Sequence, residues 1–390
     1  MADEPRFAKG DLNSVMAAFP HVGDWVRDFE SRYGSRPMYY GPLDRDAKKE
    51  RPLNLIYAAK EPIFIHIYEP PEDDDGAGGE VLWFGLEPQL SEEEENIRRE
   101  LVETLLQEAP TAPTFTTDGE FENILEQMID RFTMLDSEVG STVRRQGRFC
   151  ELIGMDDKRL VVTPEQRARL QYIVIRDLIK NGPLEPLLSD EMLEDIHSIG
   201  LKHIHMYHKV FGMVTSNIKF REREMLSRYL RAMSERIGRP VSDNKPIIDG
   251  ALLDGSRINI IFSDDVSMLG PSFTIRKFAE ETISIIQLIK WGTISSQVAA
   301  YIWICLEYGM SVLVSGETAS GKTTTLNAIL PFIDHNVKIY SAEDTPEVKV
   351  RHKIWQRLVT RDSKNEESRV EMFDLLKAAL RSRPRYIIIG

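Results

Sequence analysis

The sequence predicts an α/β protein: an N-terminal α/β (α+β) module followed by a second α/β core. Three observations carry that prediction. Strand-like alternation over 196–220 and 257–262 is separated by a helical stretch from Met225 to Ile237. Over 310–329 a short apolar run, a glycine-rich turn and a helix follow one another, the order of a parallel βα unit. Near the end, an amphipathic helix over 371–382, with Phe373, Leu376, Ala379 and Leu380 at helical spacing, leads into an apolar strand over 385–390.

The elements read in order as follows. Residues 1 to about 50 are mixed and charged, with turn residues at Gly41 and Pro42, and read as a loosely ordered arm. Ile63 to Tyr68 reads as a strand, 70–79 as an acidic loop, and Val81 to Leu86 as the return strand. Ser91 followed by Glu92 to Glu95 marks a helix start, with a hydroxyl cap and acids in the first turn. That acidic run is a solvated helix start rather than a partner-binding patch. Residues 109–117 are linker-like, and helices follow to about Leu188. A turn-rich stretch over 239–255 precedes the strand at 257–262, and a hinge is placed near Gly270 and Pro271. The expected domains are an acidic N-terminal region (1–120), an α/β domain (121–270) and a final domain (271–390).

The chain has 390 residues, enough for two or three domains, and 42% hydrophobic residues, which marks it as globular. Its net charge of −13 counts against a general nucleic-acid binder. Two cysteines, Cys150 and Cys305, make neither a disulfide framework nor a metal quartet, so a reducing, cytoplasmic setting is expected. There is no apolar signal core at the N-terminus, and the stretch from Val298 to Val314 is broken by Glu307. His203, His205 and His208 lack carboxylates at ligand spacing and read as ordinary imidazoles.

The chemistry concentrates at 316–323, GETASGKT, which fits G-x-x-x-x-G-K-[ST] at every fixed position. Gly316 and Gly321 allow the bend that turns backbone N–H groups of Glu317, Thr318, Ala319, Ser320 and Thr324 towards phosphates. Lys322 is placed to reach the β- and γ-phosphates and the Thr323 hydroxyl to ligate Mg²⁺. Met310 to Ser315 reads as the buried strand before the loop, and 323–329 as the helix whose N-terminus adds partial positive charge. Downstream, a strand from Val337 to Ser341 leads to Glu343, Asp344 and Glu347. Glu343 is expected to order Mg²⁺ or a water.

These residues resemble the secretion ATPase superfamily of type II secretion, type IV pili and archaeal surface filaments. The loop with its extension through Asn327 is similar to that family's phosphate loop. SAEDTPE at 341–347 is similar to its Asp box, and RPRYIIIG at 383–390 to the start of its Walker B strand. EDIHSIG (194–200), HKVFGM (208–213), PSFTIRKF (271–278) and WQRLVTR (355–361) look like the archaellum motor ATPase FlaI. One departure is Leu253, where relatives usually carry Pro.

The resemblance implies a RecA-like core binding ATP and Mg²⁺, a hexameric ring, and a polytopic membrane platform protein as partner. It implies a peripheral place at the cytoplasmic face of the membrane; the negative charge leaves no nucleic-acid partner expected. It also implies that Arg257 and Arg276 reach the nucleotide phosphates and couple their loss to domain rotation. The family's catalytic Glu would follow Gly390 and its His box lies later still. The chain is therefore read as ending within Walker B and as binding ATP better than it hydrolyses it. The other readings are a pilus or secretion assembly ATPase, a nucleotide-binding scaffold without turnover, and a nucleic-acid translocase.

Overall fold

The computed structural model describes residues 7–71, 79–111, 113, 117–136, 159–252, 254–263, 265–277, 282–317, 320–344, 346–361 and 369–390. Most of the acidic loop, part of the 109–117 linker, Cys150 and Leu253 lie outside them. The chain forms two compact units, Met1–Lys277 and Phe278–Gly390.

The first unit is built on a ten-stranded mixed sheet. Its strands in chain order are β1 (Met38–Tyr39), β2 (Asn54–Lys60), β3 (Ile63–Tyr68) and β4 (Leu82–Leu86), joined by β7 to β12 further along. The short strands β5 (Thr133–Leu135) and β6 (Leu160–Val162) pair in parallel with each other instead. The remaining strands are β7 (Leu193–Ile199), β8 (His205–His208), β9 (Gly212–Ser216), β10 (Ile247–Ala251), β11 (Arg257–Ile261) and β12 (Ser272–Arg276). The spatial order is β1-β2-β3-β4-β9-β8-β7-β12-β11-β10.

Burial differs along this sheet, and strand periodicity explains how. Every residue of β3 is buried. Ile63, Ile65 and Ile67 face one core, and Phe64 faces a second core formed with Val15, Val22 and Val26. Those valines come from the helices Leu12–Ala18 and Pro20–Tyr33. The expected loose arm is therefore corrected for residues 7–50. Val22, Val26 and Phe29 make one apolar stripe at helical spacing, which the charged residues around them conceal. At the other end of the sheet one face alone is buried. Ile258, Ile260, Phe273 and Ile275 point into the core with Leu226, Leu230 and Met233 of the helix Arg223–Arg236. Arg257, Thr274 and Arg276 alternate onto the exposed face.

The region expected to stand apart as 1–120 does not. β4 pairs with β9 at Leu82↔Thr215 and Trp83↔Ser216, joining both segments in one sheet. Ser272 to Arg276, expected beyond the hinge, form β12 of the same sheet, so the division falls at Lys277 instead. Pairing across more than a hundred residues leaves no local trace in sequence. The helices Glu92–Glu108, Asp118–Phe132 and Pro164–Leu178 pack together around Leu101, Leu105, Ile129 and Leu170. The Ser91 start is a full capping box closed by Glu94.

The second unit carries a three-stranded parallel sheet: β13 (Ile339–Glu343) lies between β14 (Trp355–Val359) and β15 (Tyr386–Ile389). The helix Met372–Ser382 covers Tyr340 and Ala342 with Leu375 and Ala379. Phe373 and Leu380, expected on the buried stripe, are exposed, because the two buried positions set the contacting face one step away. Met310 to Ser315 is also corrected. It is not a strand, and Leu313 is 90% exposed. Among the described residues this run has no strand partner. An apolar run becomes a strand only when a neighbour takes its N–H and C=O groups, and the run cannot specify that neighbour.

Candidate nucleotide-binding site

The loop after Ser315 closes at Gly321, whose φ of 87° is the left-handed conformation that glycine adopts without steric cost. The helix Lys322–Ile329 starts at the next residue, and the Thr325 N–H bonds to the Gly321 carbonyl at 2.9 Å. A Cβ added at Gly316 would lie 2.6 Å from Ser320 Oγ, so a side chain there would force the Ser320 hydroxyl to move. Glu317 and Ser320 are exposed, with the Ser320 N–H donating to the Glu317 carbonyl at 3.2 Å. Thr318 and Ala319 lie outside the described residues.

Lys322 folds over its own loop. Its Nζ donates to the carbonyls of Gly316 at 3.0 Å and Glu317 at 2.7 Å. An ammonium held by two carbonyls beside a helix N-terminus is an anion site in waiting. Two neutral acceptors satisfy the ammonium's hydrogen bonds without neutralising its charge. Thr323 and Thr324 occupy the first helical turn, where backbone N–H groups have no partner within the helix. These features fit a triphosphate, and Thr323 fits a role as a Mg²⁺ ligand.

Glu343 does not fit that role. It is 0% exposed. Its Oε2 accepts from the Glu347 and Val348 N–H groups, both at 2.7 Å, and its Oε1 lies 3.4 Å from Arg357 Nε. The carboxylate shapes the turn after β13 from within. Sequence reading missed this because the partners are backbone N–H groups four and five residues on, and an arginine on the neighbouring strand β14. It also missed Asn327, one helical turn beyond Thr323. Its Nδ2 donates to the Glu347 carbonyl at 3.1 Å, and its Oδ1 accepts from the Lys349 N–H at 2.9 Å.

Arg257 and Arg276 belong to the first unit. They sit directly opposite each other on β11 and β12, on the exposed face. Arg276 lies 3.8 Å from Asp195 of β7. Like charges opposite one another cost stability, so an acidic neighbour or a bound anion is needed to offset them. The three histidines are separately engaged: His203 Nδ1 with the Ser216 carbonyl, His205 with Thr215, and His208 inside the core against Tyr57.

Sequence comparison gives the family. The chain belongs to the Type II/IV secretion system protein family, whose match covers residues 177–390. It is 48% identical over 384 residues to an uncharacterized protein of Methanocaldococcus jannaschii, covering 98% of this chain and 68% of that one. A putative conjugal transfer protein of Mycobacterium tuberculosis is 28% identical over 221 residues, 55% of this chain and 62% of its own length. Among solved structures, the VirB11 ATPase of the Brucella suis type IV secretion system aligns over 53% of this chain and 66% of its own, at 20% identity and a TM-score of 0.25. The fold class stands as expected, an N-terminal α/β module followed by a RecA-like phosphate-loop core.

Proposed function

We propose that this chain is the ATP-binding part of a ring-forming motor ATPase that drives a type II/IV secretion-class apparatus. The observation that carries the reading is Lys322 poised over a glycine-closed loop at a helix N-terminus. Triphosphate binding would exchange the two carbonyl partners of Lys322 for phosphate oxygens. The loop N–H groups would take the remaining oxygens. Thr323 would hold Mg²⁺, which when bound neutralises charge on the β- and γ-oxygens. Arg257 and Arg276, offered as a pair, would sense the γ-phosphate and tie its loss to movement of the first unit.

The membrane machine is proposed to be an archaellum, on the strength of the segments at 194–200, 208–213, 271–278 and 355–361. The partner would be a polytopic platform protein, met by a hexamer at the cytoplasmic face. Among the described residues no helix is long and apolar enough to cross a membrane.

The test is phosphate release from Mg-ATP by the chain and by Lys322→Ala, with and without duplex DNA. Hydrolysis that falls about tenfold or more in the variant and ignores DNA supports the motor. Salt-sensitive stimulation by DNA would favour a translocase. Binding without hydrolysis in a protein extended past Gly390, where the resemblance places the catalytic Glu, would favour a nucleotide scaffold.

A further inference from the structure

The segment from Asp265 to Pro271, just before β12, has a braced backbone and yet turns apolar side chains to solvent. The Ser267 N–H bonds to the Ser263 carbonyl and the Gly270 N–H to the Ser267 carbonyl, both at 2.9 Å. The Gly200 N–H, just past β7, bonds to the Pro271 carbonyl at 3.1 Å. Gly200 has a φ of 58°, and a Cβ there would lie 2.1 Å from the Leu269 carbonyl oxygen. The segment is thus seated backbone to backbone on Gly200. On it, Met268 is 95% and Leu269 60% exposed. Ile199 and Leu201, flanking Gly200, are exposed as well. Apolar side chains presented on a braced backbone mark a contact surface.

A cavity of about 190 Å³ opens beside them. Leu201, Leu226, Met268, Leu269 and Pro271 supply its apolar walls, and Leu226 is fully buried. The space suits one apolar side chain and falls short of the roughly 300 Å³ of small-molecule sites. Of the described residues that line it, Arg223 alone carries a charge. Its guanidinium lies beside Gly270: a Cβ built on that glycine would be 3.7 Å from Nη2. Arg223 also begins the helix Arg223–Arg236, whose N-cap Glu222 makes no side-chain cap bond. The open N–H groups of that first turn add positive character to the same wall. Glu224, in that turn, does not line the cavity.

We propose that this cavity docks a segment of a partner protein that carries an apolar side chain next to a carboxylate. The apolar side chain fills the cavity against Leu226. The carboxylate takes a two-point bond from the Arg223 guanidinium. Met268 and Leu269 close over the adjoining stretch and shut out water. Charge complementarity selects this occupant, since a basic neighbour would set like charge against Arg223 and the helix N-terminus. Every lining residue belongs to the first unit, so the inference is independent of the nucleotide reading.

The probe is an array of short Gly/Ser peptides whose two central positions run through every pair of residue types. The protein should retain pairs of Leu, Met or Phe with Asp or Glu about tenfold or more over the same residues with Lys or Arg. Arg223→Glu should turn the preference over to Lys and Arg, a reversal that a merely structural role would not produce. Met268→Ser combined with Leu269→Ser should abolish retention, and both side chains lie at the surface, so the core stays whole. No selection by the folded protein, or a selection that Arg223→Glu leaves unchanged, overturns the proposal. So does a blank array with self-association, or with binding to anionic lipid vesicles, that the Met268 and Leu269 variant abolishes. Those results would assign the surface to a second copy of the chain or to a membrane.

Discussion

The two units spend their polar side chains differently. In the first, a chain of buried polar side chains around Asp190 is satisfied from within. Asp190 Oδ2 accepts from the Tyr57 hydroxyl at 2.7 Å and Trp83 Nε1 at 2.9 Å, and its Oδ1 accepts from the Met192 N–H. Tyr57 has one proton, given to Asp190, so the 3.1 Å contact makes His208 Nε2 the donor to Tyr57. His208 Nδ1 then accepts from the Val210 and Phe211 N–H groups. In the second unit, the described residues of the phosphate loop lie exposed, and among the described residues Lys322 is held by two carbonyls of its own loop. A closed network stabilises a fold, whereas an open charge at a helix N-terminus is available to a ligand.

The largest effect that could break this division is at Asp190. Asp190→Ala leaves the Tyr57, Trp83 and Met192 donors unpaired in the core and should destabilise the first unit by about 3 kcal/mol or more. Nucleotide affinity of the folded protein should change by less than about twofold. Chemical denaturation and a binding titration check the two halves, and a parallel loss of affinity would dissolve the distinction.

Acid comes next. Burial pushes His66 down to about 3 and His208 down to about 4, with the Asp190 charge partly opposing the second shift. Both imidazoles stay neutral in the folded unit while the unfolded chain takes up protons below its ordinary value near 6.5. Their contribution to stability is complete above pH 6.5 and is lost as pH falls towards 4 and then 3. Denaturation at pH 7 and pH 5 should differ by roughly 3–4 kcal/mol in the first unit, a little under 2 from each ring. Equal stability at both values would mean that protons reach these rings without unfolding.

The smallest expected effect sharpens the account of Glu343. Glu343→Gln keeps one carbonyl oxygen for the Glu347 and Val348 N–H groups and loses the charge facing Arg357. It should cost about 1 kcal/mol and change the gain in ATP affinity that Mg²⁺ confers by less than about twofold. A tenfold fall in that gain would make Glu343 a metal ligand after all.

Local signals in the sequence were dependable. The Ser91 cap, the 63–68 and 81–86 strand pair, and the helix after GETASGKT all lie where their residues place them, because caps, alternation and glycine turns act over a few residues. What escaped was set by distant neighbours. The apolar run before the loop has no pairing partner to make it a strand. β4 joins β9 by pairing Leu82 with Thr215, far along the chain. Glu343 reads as an exposed acid beside a turn, yet the fold of that same turn closes over it. The two bonds from Asn327 to that turn were legible only as an asparagine four residues past Thr323, a spacing shared by many helices that hold nothing.

The central claim is that Lys322 is held in reserve for phosphate. Equilibrium binding of a fluorescent ATP analogue with Mg²⁺, to this chain and to Lys322→Ala, tests it most directly. The account predicts an affinity loss of about tenfold or more, worth about 1.4 kcal/mol, with helical content unchanged. Equal affinity in the two proteins, or no binding by either with both folded, would contradict it.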